Sequence, residues 1–258
     1  FILFVGRDHG LEVHAPNFQL EACRVDPRHR YRRILWEQAF GPSRLARQRL
    51  DLIHFPYGTV PLRQAGPYVA TVHDSQRFSL PHSVGWIERC YRAVIETGIA
   101  RRGQPVIGVS QWDAGILRDR LGLRAERVFV IPHGVSQSFR SPRDEDVLDT
   151  DNYLLWVGRP YGRKNVGLLI RAMQLLKSGG VNPPTLRVVG VERSYEAPLR
   201  RAARHLGVES IVSLERPIRH DQIPAVFRRA RLFCYPSLYE SVGIPVLEAM
   251  ASGTPVLC

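Results

Sequence analysis

The sequence lacks the patterns that mark metal sites, membrane spans and two large enzyme classes. Its four cysteines show no CxxC and no cysteine–histidine spacing, so we expect no zinc site and a reducing, cytoplasmic compartment. No uninterrupted apolar run approaches the ~18 residues of a membrane-spanning helix. The patterns GxGxxG and GxSxG are both absent, which argues against a nicotinamide-dependent dehydrogenase and against a serine hydrolase.

Acidic residues and lysine are also scarce. The chain carries 36 basic residues against 24 acidic ones, a net charge of +12, and only Lys164 and Lys177 among the basic residues are lysines. The surplus is spread along the chain without a long basic tract. It favours anionic partners in general, namely nucleotide phosphates, nucleic acid or an anionic membrane surface. The charge by itself does not choose among them.

Short apolar runs alternate with longer amphipathic stretches along most of the chain. Nine runs predict strands: DLIHFP, YVATVHD, PVIGVS, VFVIPHGV, YLLWVG, LRVVGV, IVSLE, LFCYPS and PVLC. Helical patterns lie between them, as in WIERCYRAVIETGIARR, NVGLLIRAMQLLK and EAPLRRAARHLG. Strands separated by helices indicate βαβ units and a parallel sheet buried on both faces, which is an α/β fold.

One polar, acidic stretch interrupts this alternation, at Ser138–Asn152, and predicts a linker. We therefore predict two Rossmann-like α/β domains, over residues 1–150 with the acidic linker at its end and over 151–258, with a cleft between them. In such folds ligands bind beyond the carboxyl ends of the strands. The first and last residues both have the pattern of strand interiors, so we expect a piece of a longer chain, with both domains incomplete.

The stretch WVGRPYGRKN, residues 156–165, follows a predicted strand and opens a predicted helix. Arg159, Arg163 and Lys164 would lie where backbone N–H groups and the helix dipole already favour an anion. The pattern differs from the P-loop GxxxxGK[ST], and it offers no hydroxyl for magnesium. A diphosphate site and a solvated basic helix start explain these residues equally well.

Two glutamates flank a Gly-x-Pro break near the C-terminus, in YESVGIPVLEAMASGTPV. Pro245 suits the first turn of a helix and Gly253 suits its end, which predicts a helix over about Pro245–Ala251. Residues 241–244 would then present free N–H groups before the helix. Glu240 and Glu248 would accept hydrogen bonds from hydroxyls, as in a sugar nucleotide. The alternative is that Glu248 complements the helix dipole and Glu240 is a solvated loop acid.

The segment ESVGIPVLEAMASGTPV resembles the Glu-x7-Glu signature of the group-1, family-four glycosyltransferases, retaining enzymes of the GT-B class. VGRPYGRKN resembles the phosphate-contacting turn of their donor domain, and YVATVHD resembles the segment of their first domain that bears a cleft histidine. PVIGVSQWDAGIL with VFVIPHGVS is similar to the block that closes that first domain. The order and spacing agree over about residues 51–258.

The resemblance implies a role for each candidate residue. Arg159 and Lys164 would bind the donor diphosphate, with Arg163 a weaker candidate. Glu248 would bind the ribose hydroxyls. Glu240 and His73 would contact the donor sugar near the reacting carbon. The backbone of Ser241, Val242, Gly243 and Ile244 would line the sugar and phosphate, although the family commonly has Gly-Phe at the first two of these positions. Asp74 and Ser110 are further, weaker candidates.

The implied reaction is metal-independent transfer of a hexose from a nucleotide sugar to an acceptor hydroxyl. The donor is a substrate, so no cofactor is expected. The TVHD, GVS and IPHGV segments most resemble mannosyltransferases of polysaccharide assembly, which makes GDP-mannose the expected donor. The other expected partners are a glycan or lipid-linked acceptor and, peripherally, the anionic inner face of the membrane, but not nucleic acid.

Three alternatives fit parts of the same pattern. A sugar-nucleotide epimerase or a phosphorylase shares the GT-B architecture, and a basic module that binds nucleic acid would share only the net charge of +12. A metal-binding glycosyltransferase would use a DxD string, which occurs here as Asp149-Thr150-Asp151. We interpret that string as solvated linker, because it lies within a run of acidic residues.

Overall fold

The computed structural model describes residues 1–6, 10–23, 25–26, 29–83, 85–140 and 151–258. The chain forms two compact units: unit 1 comprises Phe1–Ser75 and Gly85–Ile131, and unit 2 comprises Gln76–Val84 and Pro132–Cys258. The boundary predicted after residue 150 adjoins the segment 141–150, which lies outside the described residues, and it stays a prediction. Both ends of the predicted linker are structured, since Phe139 is buried in the core of unit 2 and Asp151 begins a strand.

Unit 1 contains a four-stranded parallel sheet and a separate parallel pair of strands. The pair is β1 (Ile2–Val5) with β2 (Gln19–Ala22), and the sheet has the order β3 (Ile53–Phe55), β4 (Tyr68–Val72), β5 (Val106–Gly108), β6 (Val128–Val130). The helices are α1 (Arg30–Ala39), α2 (Gly41–Ala46), α4 (Trp86–Arg102) and α5 (Gln111–Leu121), while α3 (Gln76–Ser79) belongs to unit 2.

The core of unit 1 forms around β4 and β5. Tyr68, Ala70 and Val106 are at most 1% exposed, and they pack with Ile95 of α4 and Leu117 of α5. Helices cover the faces of a parallel sheet, so its central strands are apolar on both sides rather than alternating. This arrangement places the residues that follow β4 and β5 at the carboxyl edge of the sheet.

Unit 2 contains a five-stranded, fully parallel sheet. In chain order its strands are β7 (Asp151–Val157), β8 (Thr185–Val189), β9 (Val212–Glu215), β10 (Ala230–Cys234) and β11 (Val256–Leu257), and in space the order is β11-β10-β7-β8-β9. The connecting helices are α6 (Val166–Ser178), α7 (Arg193–His205), α8 (Ile223–Arg228) and α9 (Ile244–Ala251). The chain therefore builds outward from β7 in one direction and then returns to the other side of it.

The predicted α/β fold is confirmed. All nine predicted strands are present, and α4 spans the residues of the predicted helix WIERCYRAVIETGIARR. The strand pattern of the first residues is confirmed by β1, whereas β2, α1 and α2 were not predicted, because the rest of the first 50 residues has weak periodicity. None of the helices that the structure describes has both the length and the apolar character of a membrane span.

Candidate functional site

The carboxyl ends of β7 and β10 lie side by side where the strand order of the unit 2 sheet reverses. Such a reversal leaves a crevice between two diverging loops, and ligands of open parallel sheets bind there. The loops here are residues 158–165 after β7 and 235–243 after β10. They are joined directly, since Leu238 N donates to the Arg163 carbonyl at 2.8 Å and Arg163 Nη1 donates to the Tyr239 carbonyl at 2.7 Å.

A close approach of two glycines shapes the start of the first loop. Gly158 N donates to the Val189 carbonyl at 3.0 Å, so the backbone after β7 stays against the end of β8. A Cβ atom at Gly190 would lie 2.3 Å from the Gly158 carbonyl oxygen, a distance that no side chain tolerates. Gly190 also has φ +103°, in the region that favours glycine. The path of the loop toward Arg159 and Lys164 thus depends on Gly190.

Lys164 is the most buried of the predicted basic residues, at 9% exposed. Its Nζ donates to the Tyr235 hydroxyl at 2.5 Å and to Oε1 of Glu240. Burial lowers the pKa of Lys164, while the hydrogen bond that Lys164 donates to Glu240 opposes that shift. The alternative of a solvated basic helix start is therefore wrong for Lys164. Its ammonium is buried, and its hydrogen bonds offset the cost of removing the charge from water.

Two cationic side chains of the first loop contact Glu240. Arg163 Nη1 lies 3.1 Å from the same Oε1 that accepts from Lys164. The Glu240 side chain is 23% exposed, so it is not the solvated loop acid of the alternative interpretation. The structure thus brings together Lys164, the weaker candidate Arg163 and Glu240, from positions more than 70 residues apart.

Arg159 has different partners from Lys164. Its guanidinium donates to Glu192 at 2.7 Å and to the Tyr161 hydroxyl at 2.8 Å, and its side chain is 51% exposed. The hydrogen bond with Glu192 raises the pKa of Arg159. Glu192 follows β8 and precedes α7, so this pair spans the ends of two neighbouring strands.

The second loop ends in a left-handed turn at the start of α9. Gly243 has φ +71°, and α9 begins at Ile244, one residue before the predicted start. The hydroxyl of Ser241 lies 3.1 Å from that of Tyr239, and Val242 is half-buried. The predicted anion-binding loop 241–244 therefore leads directly into a helix N-terminus, where N–H groups lack intrahelical acceptors.

Glu248 lies in the second turn of α9. No acidic residue occupies the first turn, so its interaction with the helix dipole is weak at that position. Burial raises the pKa of Glu248, and the nearby His220 opposes the shift. A half-buried carboxylate with a raised pKa is poorly explained as a dipole complement. Its predicted binding to ribose hydroxyls stays a prediction.

The unit 1 candidates follow the carboxyl end of β4. A ring nitrogen of His73, Nε2, lies 2.5 Å from the Pro56 carbonyl, which fixes a proton on that nitrogen because a carbonyl only accepts. Asp74 accepts from Arg92 Nη1 at 3.0 Å. The contact of His73 with a donor sugar stays a prediction.

Ser110 is the N-cap of α5. Its hydroxyl accepts from the Asp113 N–H at 3.1 Å and donates to the Asp113 carboxylate at 3.0 Å. Asp113 is fully buried, and its other oxygen accepts from both the N–H and the hydroxyl of Ser75. Ser110 therefore has a helix-capping role, and Asp113 anchors the loop that follows His73 and Asp74.

The DxD string is only partly described. Asp149 and Thr150 lie outside the described residues, and Asp151 pairs with Arg229 at 3.0 Å. Asp151 is the first residue of β7 and not part of a linker, although its side chain is 43% exposed. Among the described residues, no group of three histidine, cysteine or acidic side chains is placed to hold a metal ion.

Three residues of these networks were missed by the sequence reasoning: Tyr235, Glu192 and Asp113. Tyr235 ends an apolar run, Glu192 follows a strand and Asp113 stands in a helical pattern, so local context gives each an ordinary role. One local signal could have identified Asp113: it is an acid three positions after Ser110, a spacing that fits a capping interaction.

Two family models match consecutive parts of the chain. One, described as Glycosyltransferase Family 4, matches residues 3–139, and the other, described as Glycosyl transferases group 1, matches residues 138–258. Together they cover both units.

Curated relatives agree with these matches. A D-inositol 3-phosphate glycosyltransferase of Nocardiopsis dassonvillei is 31% identical over 80% of this chain and 54% of its own length. The O-antigen chain mannosyltransferase RfbU of Salmonella typhimurium is 27% identical over 80% of this chain and 55% of its own length. The chain thus spans about half the length of the relatives it matches.

Solved structures share the fold. A sucrose-phosphate synthase of Thermosynechococcus elongatus superimposes with a TM-score of 0.78 at 20% identity, over 99% of this chain and 70% of that one. HepE of Anabaena, in complex with UDP, has a TM-score of 0.67 at 21% identity, over 93% of this chain and 66% of that one. Both units thus have the fold of GT-B glycosyltransferases, and with the two family matches along residues 3–258 the chain belongs to the group-1, family-four glycosyltransferases.

Proposed function

We propose that this chain carries the donor site of a retaining, metal-independent hexosyltransferase. The enzyme would transfer the hexose, mannose in the first instance, from a nucleoside diphosphate sugar to a hydroxyl of a glycan or lipid-linked acceptor. The observation that carries the proposal is the meeting of Lys164, Arg163 and Glu240 at the strand reversal beside β7 and β10.

The charges at this crevice support diphosphate recognition. An ammonium has three N–H groups, and among the described residues two acceptors, Tyr235 and Glu240, take hydrogen bonds from Lys164. The third N–H group is therefore available to a phosphate oxygen. Arg159 and the N-terminus of α9 add further donors at the same edge of the sheet, and each favours an anion.

The same groups suit the chemistry of glycosyl transfer. As the bond to the leaving phosphate breaks, positive charge grows at the anomeric carbon and negative charge grows on the phosphate. Fixed cations and N–H dipoles stabilise the phosphate in the transition state more than in the ground state. In the proposed mechanism the departing phosphate takes the proton of the acceptor hydroxyl. Glu240 accepts hydrogen bonds from the sugar hydroxyls beside the reacting carbon.

The choice of mannose rests on two kinds of support. Segments of the sequence resemble mannosyltransferases, and the relatives include two O-antigen chain mannosyltransferases, of Salmonella typhimurium and Escherichia coli. HepE was solved in complex with UDP, so a uracil nucleotide is the natural competitor in any test. GDP-mannose is therefore the first donor of the proposal and UDP-glucose the matched comparison.

A donor panel tests the proposal. The protein is titrated with GDP, UDP and ADP and with their sugars, and binding is measured by calorimetry and by the shift in melting temperature. We expect GDP-mannose and GDP to bind most tightly, and Lys164→Ala to weaken both by about tenfold or more, since a charged hydrogen bond is lost. Transfer to an acceptor is then expected to persist in a chelator.

Three outcomes would contradict the proposal. Failure of every nucleotide and nucleotide sugar to raise the melting temperature removes the donor site. Isomerisation of the donor without any acceptor indicates an epimerase instead. Loss of transfer in a chelator, with recovery on adding Mn²⁺, contradicts metal independence and returns attention to Asp149 and Asp151.

A further inference from the structure

Tyr235 lies at the centre of the candidate site although no motif includes it. It follows β10 directly, is 2% exposed, and its N–H donates to the Leu257 carbonyl at 2.8 Å. Its ring stacks on Phe233 at 5.4 Å and on Trp156 at 6.3 Å between centroids. The backbone bond and the two stacks hold the ring in one place, so the hydroxyl has a fixed position.

That hydroxyl contacts the ammonium of the charged pair. Lys164 Nζ donates to it at 2.5 Å and lies 4.9 Å from the centroid of the ring. The Glu240 carboxylate accepts a hydrogen bond from the same ammonium. A rigid aromatic group thus supplies one fixed acceptor for the ammonium, beside the carboxylate that accepts from the same ammonium.

We propose that Tyr235 is a positioning residue of the donor site, which holds the diphosphate-binding ammonium of Lys164 beside the sugar-binding carboxylate of Glu240. This inference rests on the proposed function and adds a residue to its site. Lysine has four rotatable bonds and a large conformational freedom, so a fixed acceptor lowers the entropic cost of aiming its charge at a ligand. The ring adds a cation–π contact to the hydrogen bond.

The site also keeps the tyrosine in its protonated form. Burial raises the pKa of Tyr235, and the Glu240 carboxylate raises it further, while Arg163 opposes the shift. The protonated hydroxyl accepts the hydrogen bond from Lys164. The charged groups that act on Lys164 are Glu240 and Arg163, and Glu248 of α9 also acts on Tyr235.

The test variant is Tyr235→Phe, which keeps the stacks and the cation–π contact and removes only the hydroxyl. The probes are GDP and UDP, each with its sugar nucleotide, titrated by calorimetry between pH 7 and pH 10. We expect the affinity for the nucleoside diphosphate to fall about fivefold to twentyfold, from loss of one hydrogen bond to a charged group. The pH at which affinity declines on the alkaline side should also move downward, because the ammonium has lost an acceptor that favours its charged form.

Tyr153→Phe is the matched control. Tyr153 belongs to the same unit, is 5% exposed, donates to the Val226 carbonyl at 2.6 Å and has the Arg187 guanidinium 4.5 Å from its ring centroid. Its substitution removes an equally buried hydroxyl beside a cation, away from the loops of the candidate site. We expect its effect on the melting temperature to be similar to that of Tyr235→Phe, with nucleotide affinity unchanged within twofold.

A double-mutant cycle separates positioning from general damage. In a Lys164→Met background, Tyr235→Phe should cause less than a twofold further loss of affinity, because the residue it positions is gone. The inference is overturned if Tyr235→Phe alone binds within twofold of the unsubstituted protein with the same alkaline decline, or if its effect is undiminished in Lys164→Met. If the unsubstituted protein binds no nucleoside diphosphate, the proposed function fails and the inference fails with it.

Discussion

Lys164 donates a hydrogen bond to the Glu240 carboxylate, although the two residues are 76 positions apart in the sequence. The family resemblance assigns the first to a phosphate and the second to a sugar, yet here each is the partner of the other. In the proposed donor site, a phosphate that contacts Lys164 would share the ammonium with Glu240. The carboxylate would then compete with the phosphate for the cation.

Removing the charge of Glu240 should change nucleotide affinity and sugar transfer in opposite directions. In Glu240→Gln we expect affinity for a nucleoside diphosphate to rise about threefold to tenfold, because Lys164 and Arg163 are no longer neutralised by an acid. Sugar transfer should fall by at least tenfold, since an anionic acceptor of sugar hydroxyls is lost. Calorimetry with GDP and UDP and a transfer assay measure the two effects. Glu209→Gln, at an exposed acid paired with Arg204, is the control.

Arg159 offers a second, independent test of diphosphate binding. Its partner Glu192 neutralises it at the ends of β7 and β8. In Glu192→Gln we expect the melting temperature to stay unchanged, because exposed ion pairs contribute little, and affinity for a nucleoside diphosphate to rise about twofold to fivefold. The rise should shrink between 50 and 300 mM salt. Unchanged affinity at low salt would place Arg159 outside the site.

The approach of Gly190 to Gly158 predicts a large effect on stability. Gly190→Ala inserts a Cβ 2.3 Å from a backbone oxygen at φ +103°, and the backbone must shift. We expect a loss of about 2–4 kcal/mol in the free energy of unfolding, from overpacking together with backbone strain. The measurement is urea unfolding followed by circular dichroism.

Gly167→Ala is the control for that substitution. Gly167 lies in α6, is exposed, and a Cβ there meets nothing within 4 Å. Alanine has the higher helix propensity, so we expect a gain of up to about 1 kcal/mol. Equal losses from both substitutions would show that the glycine contact does not shape the loop.

An ion pair on the unit 2 sheet predicts acid sensitivity. Arg187 of β8 donates to both carboxylate oxygens of Glu215 of β9, at 2.7 and 2.8 Å, and holds the pKa of Glu215 below its ordinary value of 4.5. A lowered folded pKa stabilises the folded state above about pH 4.5, and this contribution is lost as the pH falls toward the folded pKa. Glu215→Gln should cost about 1–2 kcal/mol at pH 7.

The unfolding free energies of the unsubstituted protein and of Glu215→Gln should become equal as the pH falls. Urea unfolding of the unsubstituted protein and of Glu215→Gln at several values between pH 7 and pH 3 measures the difference in unfolding free energy. A difference that stays constant over this range would mean that Glu215 acts through packing and not through its charge.

Exposed apolar residues on α4 make membrane contact testable. Trp86 is 71% exposed and Ile87 is 55% exposed, and Arg101 is exposed near the other end of the same helix. Aromatic and aliphatic side chains with arginine on one helix suit an anionic interface. We expect the protein to sediment with phosphatidylglycerol vesicles and not with phosphatidylcholine vesicles. Trp86→Ser with Ile87→Ser should reduce sedimentation at least threefold, and no reduction would remove α4 from the contact.

Much of the fold could be predicted from local pattern. Apolar runs predict every strand from β3 to β11, and Pro245 with Gly253 predicts α9 to within one residue of its start. The helices α1 and α2 were not predicted, because they are short, with 10 and 6 residues, and begin without a side-chain cap. Ser110 was grouped with the site candidates, although its hydroxyl caps α5.

The sequence by itself determined the order of strands and helices and the two loops rich in site residues, because those depend on periodicity, glycine and proline. Only the tertiary structure decided which residues of the two loops meet. Strand β10 returns to lie beside β7, and this pairing brings Tyr235 and Glu240 into contact with Lys164. Arg159 instead pairs with Glu192, which follows β8. Contacts of this kind depend on the spatial order of strands, which no local pattern encodes.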